Sequence, residues 1–162
     1  MKMPEQSNKI VDRVTLESAV AELKKEGKRV VFTNGCFDII HVGHVRYLRQ
    51  ARELGDCLVV GLNSDGSAGR LKPQRPIVPE GERAEVISAF EMVDYITIFD
   101  EDTPYDLIRA IRPDVLVKGG DWRVEEIVGA DLVGEVYSLP YRRGFSTTGI
   151  IERITRRYCS SR

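Results

Sequence analysis

The sequence predicts an α/β domain in which five parallel strands form a doubly wound sheet covered by helices on both faces. Short apolar, β-branched runs alternate with longer segments of helical periodicity along the chain. Runs of this kind are typical of strands buried on both faces, and together with right-handed crossovers they give a Rossmann-like architecture. A chain of 162 residues suits one domain, predicted at 15–158, with an N-terminal extension at 1–14 and a loose tail at 159–162.

The first helix is predicted from Thr15 to about Glu26. Leu16 and Val20 mark its apolar face, Thr15 can cap its start, and Gly27 can end it. The second helix is predicted to end at Gly55. The fourth is predicted to begin with Pro104, with Thr103 as its cap. We predict these later helices at 42–54, 80–90, 104–111 and 146–158.

The strands are predicted from apolar runs that turn residues interrupt. They lie at 29–33, 57–62, 95–99, 115–118 and 135–138. The segment 63–79 is rich in glycine, proline and basic residues, and it is predicted to be a long loop of functional or mobile character.

Composition narrows the class of protein. The net charge of -1 argues against a general nucleic-acid binder. The three cysteines, Cys36, Cys57 and Cys159, are odd in number and lack paired spacing, which fits a reducing compartment. The first twelve residues are polar, and no apolar run is long enough to cross a membrane. We therefore expect a cytoplasmic protein without nucleic-acid or membrane partners.

The segment 33–44, between the first strand and the second helix, holds the densest chemistry. In a doubly wound sheet, ligands bind at the carboxyl edge of the strands, at the point where the strand order reverses. Gly35 and Gly43 allow close backbone approach, and a helix N-terminus suits a phosphate. His41 and His44 are three positions apart, so both imidazoles face one side and can donate hydrogen bonds to phosphate oxygens.

Other interpretations of this segment remain open at this point. The histidine pair could bind a metal ion, although no cysteine or third histidine nearby completes a site. The two side chains could also be incidental surface residues. The spacing of the glycines fits neither a P-loop nor a dinucleotide-binding fingerprint.

Two motifs taken together are more specific. The sequence G-C-F-D at 35–38 is followed by H-V-G-H at 41–44, and S-T-T stands at 146–148, near the start of the last predicted helix. This combination resembles the signature of the cytidylyltransferase-like nucleotidyltransferase superfamily. The resemblance implies a sheet of the predicted type that binds a nucleotide at its carboxyl edge.

A closer resemblance, over about 15–154, is to the adenylyltransferase domains of bacterial ADP-heptose synthesis. It implies transfer of AMP from ATP to D-glycero-β-D-manno-heptose 1-phosphate, with Mg²⁺ carried by the nucleotide phosphates and no dedicated metal site. It also implies a homodimer and a separate sugar kinase, within lipopolysaccharide core or related glycan synthesis. Its further motifs lie at 63–65, 71–72, 75–77, 82–83, 93–94, 100–104, 117–122, 125–130 and 150–151.

The resemblance assigns roles to individual residues. Catalytic contacts with the phosphates fall to His41, His44 and Lys72. Nucleotide-binding positions are Thr33, Asn34, Gly35, Cys36, Phe37, Gly43, Asn63, Asp65, Arg83, Lys118, Gly119, Gly120, Ser146, Thr147 and Thr148. Substrate-binding positions are Asp38, Asp121 and Trp122.

Structural alternatives stand beside several of these roles. Arg83 could pair with Glu80 on an exposed helix face instead of reaching phosphates. Asp38 could orient a histidine or cap a turn, Ser146 could simply cap a helix, and Trp122 could serve packing.

One departure bears on the nucleotide. Related cytidylyltransferases place an arginine directly after the Leu-Pro that precedes the terminal motif, whereas here Tyr141 follows and Arg142 and Arg143 are displaced. This favours ATP over CTP. The alternatives are glycerol-3-phosphate cytidylyltransferase, FMN adenylyltransferase and, from another class, a nucleotide-binding module without catalysis.

Overall fold

Five parallel strands form one sheet in the order β3-β2-β1-β4-β5. The computed structural model describes residues 8–140 and 144–159. The strand order reverses between β1 and β4, at the centre of the sheet, so the predicted doubly wound, Rossmann-like architecture is confirmed. The strands are β1 (Val30–Gly35), β2 (Cys57–Asn63), β3 (Tyr95–Phe99), β4 (Val115–Gly119) and β5 (Glu135–Leu139).

Within residues 8–140 and 144–159, six α-helices accompany the sheet, and short 3₁₀ turns lie at Val124–Glu126 and Ala130–Leu132. The first begins two residues earlier than predicted, because Asp12 and not Thr15 is its cap: Asp12 Oδ1 accepts the Thr15 backbone N–H at 2.7 Å. Thr103 does not cap the fifth, whose start has no side-chain cap. The helices are α1 (Arg13–Lys25), α2 (Val42–Arg52), α3 (Asp65–Leu71), α4 (Glu80–Ser88), α5 (Tyr105–Ile111) and α6 (Thr147–Tyr158).

The prediction of an uninterrupted loop over 63–79 is wrong, because α3 occupies much of it. Ser64 caps this helix by accepting the backbone N–H of Ser67 at 2.9 Å, and Ala68 is fully buried beneath it. The irregular part of the connection is therefore confined to residues 72–79.

Apolar clusters lie on both faces of the sheet. On one face, Leu48 of α2 and Ile87 of α4 cluster with Val31. On the other, Leu107 of α5 clusters with Phe32. The two strand residues are consecutive, so their side chains point to opposite faces. Each fully buried side chain of this size contributes about 1.5–3 kcal/mol, so packing on both faces stabilises the sheet.

The segment before α1 lies along the edge strand β3. Ile10 forms a parallel bridge with Ile96, whose backbone N–H donates to the Lys9 carbonyl at 2.8 Å. Lys9 also donates from Nζ to the Phe90 carbonyl at 2.9 Å. The predicted domain boundaries, between residues 14 and 15 and between residues 158 and 159, remain predictions.

None of the helices in the described part of the chain has the length and apolar content needed to span a bilayer.

Candidate active site

The turn after β1 leaves the sheet where the strand order reverses, since β1 pairs with β2 on one side and β4 on the other. A Cβ on Gly35 would lie 3.0 Å from the ring of Phe37, so glycine lets this ring cover the end of β1. Phe37 itself has a φ of 46° and is buried. Its ring centroid lies 5.3 Å from that of His44, which places the strand end directly against the histidine pair.

His41 and His44 lie side by side at the start of α2, as their spacing predicts. Their rings are stacked, with centroids 3.9 Å apart and planes inclined by 23°. His41 Nδ1 accepts the backbone N–H of Gly43 at 3.1 Å, and His44 Nδ1 accepts that of His41 at 3.4 Å. Because Nδ1 accepts in both rings, each neutral imidazole carries its proton on Nε2. The helix cap thus leaves two Nε2–H donors for a ligand.

Both imidazoles are neutral near pH 7. Burial lowers the pKa of His44 to about 4, with a further contribution from neighbouring His41. Burial also lowers the pKa of His41. The pair therefore offers hydrogen-bond donors without a fixed charge, next to the positive end of the α2 dipole.

The start of α6 lies against the start of α2. Thr147 Oγ1 donates to the carbonyl of Ile39 at 3.5 Å. A Cβ on Gly43 would lie 3.1 Å from Cβ of Phe145. Ser146 caps α6, where its hydroxyl accepts a backbone N–H of the first turn at 3.0 Å. Two helix N-termini and the histidine pair thus border the same turn, which brings the two predicted motifs together.

Positive charge gathers at the end of β1. Lys118, at the end of β4, donates from Nζ to Asn34 Oδ1 at 3.4 Å, and burial lowers its pKa. Burial raises the pKa of the Cys36 thiol, while the charges of Arg83, Lys72 and Lys118 oppose that rise. Lys72 is exposed and directly follows α3. Three cations, from α4, from β4 and from the residue after α3, therefore act on one thiol in the turn after β1.

The Asp38 carboxylate is hydrogen-bonded to the segment before α4. It accepts hydrogen bonds from Arg75 Nη1 and from the backbone N–H groups of Ile77 and Val78, each at 2.9 Å. Burial raises its pKa, but these hydrogen bonds and the Arg75 charge outweigh burial and lower the pKa below its usual value. The Asp38 carboxylate therefore binds Arg75 and two backbone N–H groups and does not orient a histidine.

Arg83 is fully buried, so the alternative of an exposed pairing with Glu80 is wrong. Its Nε donates to the Val78 carbonyl at 2.8 Å, and its Nη1 donates to the carbonyl of Cys36. Its Nη2 pairs with Asp65 Oδ1 at 2.7 Å. The guanidinium joins α3, α4 and the turn after β1, and direct contact with phosphates stays a prediction.

Two side chains that were predicted to bind the nucleotide are buried in the interior of the protein. The hydroxyl of Thr33 lies 2.6 Å from that of Tyr47 and is fully buried. Asn63 is 2% exposed and donates from Nδ2 to Ser67 Oγ at 2.9 Å. Both side chains therefore support the framework of the site and do not offer their polar groups to a ligand.

The segment 119–122 continues from β4 at the same edge. Gly120 has a φ of 121° and donates to the Leu139 carbonyl at 2.9 Å. Trp122 is 49% exposed, and its Nε1 donates to the Gly119 carbonyl at 3.1 Å. The indole is therefore fixed at one edge and open on the other, while Asp121 is exposed beside it.

The sequence motifs gave no role to Tyr47 or to the side chain of Arg75, and both make contacts that support the site. Tyr47 donates to the carbonyl of Val117 at 3.2 Å and so ties α2 to β4. Thr148 is exposed on the first turn of α6, and the displaced arginines at 142–143 lie outside the described residues. Across 8–140 and 144–159, no group of three or more His, Cys, Asp or Glu side chains could hold a metal ion.

A doubly wound parallel sheet with a histidine pair at the start of the helix after β1 defines this protein as a nucleotidyltransferase. Residues 32–153 match the model of the cytidylyltransferase-like family, and the chain belongs to that family. The superfamily resemblance drawn from the motifs is thereby confirmed.

Similar proteins extend the comparison. The bifunctional protein HldE of a Nitratiruptor species is 53% identical over 146 residues, which are 90% of this chain and 32% of that protein. The bifunctional protein HldE of Campylobacter concisus is 61% identical over 132 residues, which are 81% of this chain and 28% of that protein. The chain thus spans about a third of the length of these curated relatives.

Among solved structures, the chain resembles the lipopolysaccharide core biosynthesis protein from Thermoplasma volcanium GSS1. The TM-score is 0.62 at 28% identity, with 72% of this chain and 99% of that chain covered.

Proposed function

We propose that the protein transfers AMP from ATP to D-glycero-β-D-manno-heptose 1-phosphate and releases pyrophosphate and ADP-heptose. The product would serve lipopolysaccharide core or related glycan synthesis. The observation that carries the proposal is the stacked pair His41 and His44, whose Nδ1 atoms are occupied and whose Nε2–H groups remain for phosphate oxygens. Identity of 53% to 61% with relatives named HldE, together with the heptose-type motifs, supports this acceptor.

The chemistry requires positioning and charge stabilisation more than proton transfer. A phosphate oxygen of the sugar phosphate attacks the α-phosphorus of ATP in line, and the bond to the departing pyrophosphate breaks. The attacking monoester is already ionised near neutral pH, so a general base is unnecessary. Neutral imidazole donors and the N-termini of α2 and α6 would stabilise the negative charge that develops on the phosphates.

The surrounding residues divide the remaining tasks. Lys72 and Lys118 would neutralise the triphosphate, and Mg²⁺ would enter bound to the ATP phosphates, as this hard cation usually does. The half-exposed ring of Trp122 and the exposed carboxylate of Asp121 would border the acceptor sugar. Cys36 would be a neighbour of the nucleotide and not a nucleophile, because its raised pKa keeps the thiol protonated and the reaction needs no covalent intermediate.

We further propose the biological setting. The acceptor is a sugar 1-phosphate, so a sugar kinase must act earlier, and we place it on a separate enzyme. The protein would work in the cytoplasm as a C₂ homodimer, the commonest soluble assembly. Light scattering after size-exclusion chromatography tests the dimer, and a kinase assay of the purified chain tests the separation of the two activities.

An acceptor screen tests the reaction itself. The protein is incubated with ATP or CTP and with heptose 1-phosphate, glycerol 3-phosphate or FMN, and pyrophosphate release is measured. We expect turnover with ATP and heptose 1-phosphate, and none in a His41→Ala, His44→Ala double variant. Turnover with CTP and glycerol phosphate alone would reject the proposal. Saturable ATP binding without turnover on any acceptor would point to a nucleotide-binding module.

A further inference from the structure

We propose that Asp38 is a positioning residue that holds the segment 72–79, and with it Lys72, at the phosphate site. We call this segment the strap. It connects α3 to α4 and passes the turn after β1. Two buried ionisable side chains from different elements hold it there: Asp38, whose side chain is 5% exposed, and Arg83, whose side chain is 0% exposed. Buried charges at such positions require partners. The strap supplies those of Asp38 and gives Arg83 the Val78 carbonyl, while the ion-pair partner of Arg83 is Asp65 of α3.

The hydrogen-bonding capacity of Asp38 is largely used by the strap. Oδ1 accepts both backbone N–H groups, from Ile77 and Val78, and Oδ2 accepts the guanidinium of Arg75. A carboxylate oxygen accepts about two hydrogen bonds, so Oδ1 has no free site for a sugar hydroxyl. Oδ2 keeps one acceptor site, but the side chain is only 5% exposed, so we assign Asp38 to holding the strap and not to binding substrate.

The connection from Asp38 to Lys72 is short. Arg75, which Asp38 fixes, donates its backbone N–H to the Lys72 carbonyl at 3.1 Å. Lys72 in turn donates its backbone N–H to Ala68 in α3 at 3.0 Å, so its main chain is held from both sides. Arg83 adds a second tie, because it bonds both the Val78 carbonyl of the strap and the carbonyl of Cys36. Loosening the Asp38 contacts would therefore displace the Lys72 ammonium from the phosphates.

A double-mutant cycle between Asp38→Asn and Lys72→Ala tests this coupling. Both single variants should weaken ATP binding by about 10-fold, the lower end for one hydrogen bond to a charged group. If Asp38 acts through the strap, Asp38→Asn should add almost nothing in the Lys72→Ala background. Effects that multiply would overturn the proposal, because they would mean that Asp38 contacts the ligand independently. Binding is measured by calorimetry with ATP.

Amide hydrogen exchange of Ile77 and Val78 supplies a readout that needs no ligand. Asp38→Ala, which removes both carboxylate oxygens, should accelerate exchange at both amides, and unchanged exchange would overturn the inference. Arg75→Gln provides a milder variant if Asp38→Asn unfolds, because it removes one contact and leaves both backbone bonds; it should weaken ATP binding less than Lys72→Ala. Glu22→Gln, at an exposed position of α1, is the matched carboxylate-to-amide control and should change neither quantity.

The inference rests on the proposed function only for the role of Lys72 at ATP phosphates. If the protein shows no turnover with heptose 1-phosphate, the double-mutant cycle on ATP binding and the amide exchange experiment still test the role of Asp38. Absence of ATP binding in the unmodified protein would reject the proposed function, whereas the exchange experiment would still decide whether Asp38 holds the strap.

Discussion

Replacing Gly43 by alanine should disable the phosphate site while leaving the fold intact. Gly43 lies between the two histidines on the first turn of α2, and its backbone N–H fixes the ring of His41. An added Cβ would lie 2.8 Å from both Cε1 and Nδ1 of that ring. The same atom would lie 3.1 Å from Cβ of Phe145 at the start of α6.

The size of the effect follows from these distances. Carbon atoms attract best at about 3.5–4.0 Å, so the ring of His41 would have to move by roughly 0.7 Å or more. Its retreat is restricted, because His44 is stacked on it with the centroids 3.9 Å apart. A displacement of about 1 Å in a catalytic group costs on the order of 100-fold in rate, which corresponds to about 2.7 kcal/mol in the barrier. We therefore expect turnover of Gly43→Ala to fall by about 100-fold.

Pyrophosphate release under saturating ATP and acceptor measures this loss, and thermal unfolding shows whether the variant remains folded. Gly81→Ala is the matched control. A Cβ there meets nothing within 4 Å, and the position lies inside α4. It should keep full turnover and gain about 0.5–1 kcal/mol in stability from the lower flexibility of the unfolded chain. Unchanged turnover in folded Gly43→Ala would refute the placement of His41 at the reacting phosphate.

His44→Ala should lower turnover by at least ~100-fold, the scale of one lost transition-state donor, and steady-state rates near normal would remove His44 from the mechanism. The pKa of His44 is lowered from 6.5 to about 4, so between these values the unfolded chain binds more protons and the free energy of unfolding should fall as the pH drops from 6.5 toward 4. Urea unfolding at several pH values should show a smaller fall in His44→Gln, and an identical fall would contradict the lowered pKa. Tyr47→Phe removes the hydroxyl that lies 2.6 Å from Thr33 Oγ1 and donates to Val117. It should cost about 1–3 kcal/mol in urea unfolding, and a loss near zero would show that the buried bridge is dispensable.

Periodicity sufficed to place the strands and most helices because the apolar runs are short, β-branched and interrupted by glycine. It failed at α3, whose sequence includes Gly66 and Gly69 and therefore has low helix propensity. This helix forms because the tertiary structure supplies what propensity lacks: Ser64 caps it, and Ser67 and Ala68 are buried. Such compensation is invisible in a local window of sequence.

The histidine pair could be predicted because its geometry is local to one helical turn. The hydrogen bonds of Asp38 could not be predicted, since its partner Val78 is 40 positions away in sequence and only the fold brings them together. The burial of Thr33, in contrast, could have been predicted from the sequence. It stands two positions after Val31 in β1, so the alternation of a strand places both side chains on the same buried face.

The most direct test of the phosphate site is a crystal structure of the protein with a non-hydrolysable ATP analogue. We expect phosphate oxygens within about 3 Å of Nε2 of both His41 and His44, with the first turn of α6 at the same phosphates. A triphosphate bound elsewhere, with either imidazole turned away from it, would contradict the claim that these groups form one phosphate site.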